Sequence, residues 1–202
     1  MSDRRDLVVV GGGVIGLCCA LEAAVHGWEV TVIDPDPGRG AGWAAAGMLA
    51  PTAEAHYGEE ALVRLLAAGA AAWPAFAQDL GRRSNMDIGF RATGTLLVAK
   101  DGGDRAELRR VVDFQRSLDL AVTDLRSNQL RELEPSLSPQ LAAGALLPDD
   151  HQVSNRRLLA ALLAATTSLQ VEFIREQATA LAWTSDVADV ALSSGRTIDA
   201  KN

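Results

Sequence analysis

Leu7-Val8-Val9-Val10-Gly11-Gly12-Gly13-Val14-Ile15-Gly16 is the stretch on which the fold turns. Four apolar residues run into a glycine turn, and the small apolar residues after it, up to His26, have the pattern of a helix closed by Gly27. A second β-branched run, Glu29-Val30-Thr31-Val32-Ile33, ends on Asp34, eighteen positions after Gly16. Strand, G-x-G-x-x-G turn, helix, strand and acid is the order a dinucleotide site requires. Gly11 lets the chain turn out of the strand, Gly13 lets the backbone approach a pyrophosphate, and Gly16 lets the helix lie close on the sheet. The helix N-terminus presents free N–H groups and a positive dipole end to phosphate. A carboxylate at Asp34 can accept hydrogen bonds from ribose hydroxyls. A lone glycine fingerprint is weak; one set between two strands and followed by that acid is strong.

Working outward, the chain has 202 residues, 48% of them hydrophobic and 22% charged, with a formal net charge of −7. This profile suits one or two globular domains. The acidic balance argues against a nucleic-acid or anionic-membrane surface, which would need clustered Lys and Arg. Three glycines and Glu22, His26 and Gly27 spoil any resemblance of the N-terminus to a signal peptide. No stretch reads as long and apolar enough to span a bilayer, and a cytoplasmic address is expected. Cys18 and Cys19 are helix neighbours pointing in different directions, so they read as buried structural thiols rather than a disulfide.

Further along, Pro35 to Gly42 reads as a loop, and Trp43 to Ala50 as a short helix of small residues stopped by Pro51. Glu59 to Leu80 reads as a long amphipathic helix that Pro74 kinks or divides. Two antiparallel strands are expected at 88–91 and 95–99, with helices at 104–118, at 128–134 after a Ser127 cap, and after Ser154. A strand at 171–174 and a meander of 178–183, 187–192 and 196–199 follow.

Two segments together, Val10-Gly11-Gly12-Gly13-Val14-Ile15-Gly16 and Ala44-Ala45-Ala46-Gly47-Met48-Leu49, resemble the FAD-dependent D-amino-acid oxidase family, the second most like its glycine-oxidising branch. The fold this implies is α/β: a Rossmann-like FAD-binding domain of glutathione-reductase type carrying an inserted α+β substrate domain. The expected division is 1–84 for the first part of the FAD domain, 85–148 for the first part of the substrate domain, and 149–202 for the second part of the FAD domain. The resemblance covers about the first half of the family's length. Both domains are therefore expected to be incomplete at the C-terminus: the closing strand is absent, and the substrate-carboxylate Arg and Tyr fall beyond residue 202. A fragment, a split protein with a complementing C-terminal half, and a degenerate product are three explanations of that end.

The resemblance also implies cofactor contacts. The adenosine half of FAD falls to Gly11, Gly13, Val14, Ile15, Gly16, Asp34 and Pro35, and the flavin side to Gly42, Trp43, Ala46, Gly47 and Met48, with Met48 near the substrate. The backbone of Ala178 touches the adenine. The implied reaction is oxidative deamination of glycine or another small amine: hydride to flavin N5, reoxidation by dioxygen to hydrogen peroxide, and hydrolysis of the imine to glyoxylate and ammonia, as in thiamine thiazole biosynthesis. A homo-oligomer, or pairing with the complementing half, is the expected assembly.

Rival readings are a sarcosine-type oxidase, a D-amino-acid dehydrogenase passing electrons to quinones, and a non-catalytic dinucleotide-binding fragment. An NAD-dependent dehydrogenase leaves the segment from Ala44 to Leu49 without a duty. The sole tyrosine, Tyr57, lies in a polar stretch, and Arg64, Arg82, Arg83, Arg91, Arg156 and Arg157 read as solvated faces. His56 and His151 have no partners at metal-ligand spacing, so no metal site is expected.

Overall fold

A computed structural model describes residues 5–183 and 187–201. In chain order its elements are β1 (Leu7–Val10), α1 (Val14–Val25), β2 (Val30–Ile33), α2 (Ala41–Ala44), β3 (Met48–Leu49), α3 (Glu60–Ser84), β4 (Thr95–Ala99), α4 (Gly102–Ser117), β5 (Thr123–Leu125), α5 (Ser127–Leu133), β6 (Ala143–Leu147), β7 (His151–Gln152), α6 (Asn155–Ser168), β8 (Glu172–Ile174), β9 (Ala178–Trp183), β10 (Val187–Leu192) and β11 (Thr197–Lys201). They fall into two compact units. One comprises Met1–Ala46, Gln78–Gly89 and Ser154–Asn202; the other comprises Gly47–Ala77 and Phe90–Val153. The segment 47–77 thus groups with 90–153 rather than with the residues before it.

The first unit is built on a parallel sheet in the order β1-β2-β8. Side chains alternate across a strand, so β1 feeds two cores. Leu7 and Val9 pack with Ala20, Val30, Val32 and Val171, whereas Val8 packs with Ile33, Ile174, Val190 and Leu192. The central strand β2 is buried at every position, as a strand covered on both faces must be. Each Val or Ile so buried contributes about 1.5–3 kcal/mol. Alanines at positions 20, 23 and 24 keep α1 thin over this sheet. A separate antiparallel sheet, β11-β10-β9, forms the meander anticipated from the sequence.

The second unit contains the antiparallel sheet β4-β6-β5 and the pair β3-β7. Here the sequence reading needs correction. The segment 88–91 is no strand and does not pair with β4. Asp87 accepts the Gly89 N–H at 2.8 Å and turns the chain, and Gly89 has φ +68. Only Arg91 forms a bridge, to Gln152, and the partner of β4 is β6. The alanine run after Trp43 is not helical to Pro51 either. Ala45 is extended, Gly47 has φ +78, and the chain continues as β3 against β7. Strands β5, β6 and β7 had no signal strong enough to be expected. In α4 the N-cap is Asp101, whose Oδ1 accepts from the N–H groups of Gly103 and Asp104.

Helix α3 runs unbroken through Pro74. By length and composition it is long and apolar enough to cross a membrane, contrary to the expectation from the sequence. Its alanines carry that composition, and among its positions only Val63, Ala70, Ala77 and Leu80 are buried. The two thiols differ. Cys19 is exposed, whereas burial, with Cys19 beside it, pushes the Cys18 thiol up to about 11.

Candidate nucleotide cradle

The turn after β1 is fixed by backbone geometry. Gly11 has φ +106, in the region that glycine occupies without strain, and its N–H donates to the Ile33 carbonyl at 2.9 Å. The Gly12 N–H donates to Asp34 Oδ2 at 2.7 Å, and the Gly12 carbonyl accepts from the Gly38 N–H at 2.8 Å. Gly13 is the N-cap of α1 and receives no side-chain cap, and the first turn of that helix carries no acid. Its leading N–H groups and dipole end therefore remain available to an anion.

Three glycines meet three different constraints. A Cβ on Gly16 would lie 1.9 Å from the Gly11 carbonyl oxygen, so the close approach demands glycine. A Cβ on Gly12 would lie 2.9 Å from Pro37 Cβ and 3.1 Å from Asp34 Cβ. A Cβ on Gly13 would meet nothing within 4 Å, so the fold itself does not require glycine there and the face of the turn is open. Gly12 is the member of this set that the fingerprint leaves unnamed. Its signal was the unbroken run of three glycines.

Asp34 is committed to the turn on both oxygens, because Oδ1 accepts the Asp36 N–H at 2.7 Å while Oδ2 holds Gly12. Each oxygen keeps a second lone pair for a hydroxyl donor. Pro35 beside it is exposed. Ile15, 75% exposed, and the half-buried Val14 lie in the first turn of α1.

Gly42 and Trp43 sit in the single turn α2. A Cβ on Gly42 would lie 3.7 Å from Val14 Cβ, so this turn runs beside the start of α1. The Asn155 side chain holds it there, donating to the carbonyls of Gly42 at 2.9 Å and Trp43 at 2.7 Å. Asn155 was missed, since an Asn after Ser154 reads as helix capping. The Trp43 ring carries the Arg156 guanidinium 3.9 Å from its centroid and that of Arg39 at 5.3 Å. Arg156 is thus a stacked cation rather than a merely solvated one. Ala46 is exposed and ends the first unit's opening segment.

In the second unit, Gly47 accepts the Val153 N–H at 2.8 Å, and Met48, 64% exposed, pairs with Gln152. Ala178 opens β9 and packs against the cluster of Ile33, Ile174, Val190 and Leu192. The structure therefore brings together Gly11, Gly13, Val14, Gly16, Asp34 and Gly42 in one unit, and Ala178 packs on the Ile33 cluster of the same unit. Among the described residues no group of three or more His, Cys, Asp or Glu could hold a metal.

A parallel sheet, a glycine turn with an open face and an acid clamped to that turn define a dinucleotide-binding protein. Comparison with known proteins narrows this. The profile of the family described as FAD dependent oxidoreductase matches residues 6–200, and the chain belongs to that family. It is 36% identical over 170 residues to glycine oxidase of Geobacillus kaustophilus, covering 83% of this chain and 45% of that protein. It is 34% identical over 172 residues to the bifunctional protein ThiO/ThiG of Trichormus variabilis, covering 83% of this chain and 25% of that one. The crystal structure of the Geobacillus glycine oxidase superposes with a TM-score of 0.88 at 32% identity, over 98% of this chain and 53% of the other. The chain thus spans about half the length, or less, of these relatives. The family's cofactor fits what is present: the uncapped helix end, the open face at Gly13 and the spare lone pairs of Asp34 are complementary to a pyrophosphate and a ribose.

Proposed function

We propose that this chain supplies the cofactor grip of a cytoplasmic, homo-oligomeric FAD-dependent oxidase acting on glycine or another small primary or secondary amine. The observation that carries the reading is the open face at Gly13 beside the Gly12–Asp34 clamp, joined to the likeness to glycine oxidases. In this reading the N–H groups at the start of α1, from Gly13 through Gly16, hold the pyrophosphate, and Asp34, next to Pro35, accepts from the ribose. Val14 and Ile15 line the approach, and the Ala178 backbone meets the adenine. Gly42, Trp43, Ala46 and Gly47 border the flavin, and Met48 borders the substrate. When bound, FAD supplies the acceptor for a hydride from the substrate's α-carbon and passes the electrons to dioxygen, with hydrogen peroxide and a hydrolysable imine as products. The chain's own residues bind and orient. Asn155 fixes α2 through two carbonyls, and β7 fixes the strand that bears Met48. The first compact unit is the FAD-binding part, of glutathione-reductase type, and the second belongs to the substrate domain.

The test is on the full-length protein: flavin absorbance after purification, then peroxide release with glycine, sarcosine and D-alanine in turn. Stoichiometric flavin with peroxide fastest on glycine is expected, and Asp34→Ala should lose flavin. Reduction of a quinone dye without peroxide would instead make the protein a dehydrogenase, and a colourless protein that binds no FAD would overturn the reading.

A further inference from the structure

The second compact unit holds a groove of about 720 Å³ that the oxidase reading leaves without a duty. One wall is α4, whose Arg105, Arg109 and Arg116 line the groove along one face; Arg126 faces it from the entry to α5. Two carboxylates, Asp113 and Asp124, line it as well. Asp124 is already paired, at 2.9 Å, with Arg116, which also donates to the Val122 carbonyl. Among the described residues Asp113 makes no ion pair, and no carboxylate comes within ion-pair distance of Arg105, Arg109 or Arg126.

Four guanidinium groups and two carboxylates thus leave a positive surplus around one groove, in a chain whose net charge is −7. Acidic partners were abundant, and elsewhere the chain uses them: Arg82 and Arg83 are paired with Asp79, Arg157 with Asp87 and Arg196 with Glu176. Like charges four residues apart on a helix face, as at Arg105 and Arg109, oppose the helix. An anion seated between them removes that opposition. Guanidinium forks match the paired oxygens of phosphate and carboxylate. Leu108 and Val112 give the groove an apolar floor, and its volume is within the roughly 300–1,000 Å³ of small-molecule sites.

We propose that this groove binds a small polyanion carrying at least two phosphate or carboxylate groups, held by Arg105, Arg109 and Arg126. The proposal is independent of the cofactor reading, since every residue it uses lies in the other unit. The test uses full-length protein already saturated with FAD, titrated calorimetrically at low ionic strength with inorganic pyrophosphate and, separately, citrate. Binding of one or both with a single-site isotherm is expected: pyrophosphate alone would mark a phosphate site, citrate alone a carboxylate site. R105Q/R109Q keeps the side-chain stems and should weaken binding by about tenfold or more, with the flavin spectrum unchanged. R131Q removes an arginine outside the groove and should bind as the parent does. No binding of either anion, equal weakening in R131Q, or displacement of flavin by pyrophosphate would each overturn the proposal.

Discussion

Gly13 and Gly16 belong to one fingerprint but answer to different physics, and substitution separates them. A Cβ on Gly16 drives into the Gly11 carbonyl at 1.9 Å, so Gly16→Ala forces the helix off the turn. It should cost about 1–3 kcal/mol of stability even without cofactor. Gly13 has extended backbone and open space, so Gly13→Ala should change the stability of the cofactor-free protein by no more than about 1 kcal/mol. Its methyl group would instead occupy the face offered to the pyrophosphate, and flavin retention should fall. Urea unfolding of the stripped proteins, together with flavin absorbance after reconstitution, reads both effects; equal stability loss in the two variants would contradict the distinction. At this scale the fingerprint and Asp34 were legible because chain spacing alone carries their geometry. Asp150 was not. It is fully buried and accepts the N–H groups of Thr52 and Ala53, both at 2.8 Å. Its partners lie nearly half the chain away, and Asp149-Asp150 reads locally as a turn. Gln115 is a similar case, buried and donating to the Thr52 carbonyl.

Among the elements, the parallel sheet, the final meander, β4 and the helices α3 to α6 were legible, and the short strands β3, β5, β6 and β7 were not. β1, β2 and β10 are apolar enough to declare themselves. Thr123–Leu125 and His151–Gln152 are too short, and their strand character comes from the partners β6 and β3 that pair with them. Within the meander, the turn after β10 is tied to the residue before β9's neighbour Gln177: Glu176 accepts from the Ser194 N–H at 3.2 Å and from Arg196 at 2.6 Å. Hydrogen bonding from Ser194 first, then the Arg196 guanidinium, hold the Glu176 carboxyl below the usual carboxylate range. A depressed folded-state value means the stabilisation is present above the unfolded value and is lost as pH falls through the folded one. Glu176→Gln should therefore unfold at lower urea than the parent near neutral pH. The gap should close on the acid side of about pH 4. A gap that persists unchanged into acid would assign the effect to packing rather than charge.

At the scale of the whole molecule the chain crosses between its two units four times, so neither unit is one continuous segment. Long excursions cost little in closure entropy, since the penalty grows only with the logarithm of their length. The first unit, with β1-β2-β8 and both faces of β2 buried, can therefore stay folded while Gly47–Ala77 and Phe90–Val153 open. A ligand that binds only the native cradle stabilises what holds the cradle. At a free concentration a hundred times its Kd, the gain is about 2.7 kcal/mol, or about a hundredfold slower amide exchange through openings that destroy the site. Hydrogen exchange followed by mass spectrometry of the full-length protein should show this slowing on FAD addition in peptides covering β1, the start of α1, β2 and β8. Peptides from β4, β5 and β6, whose sheet pairs only within the second unit, should exchange as before. Equal protection across both sheets would mean that the units open as one.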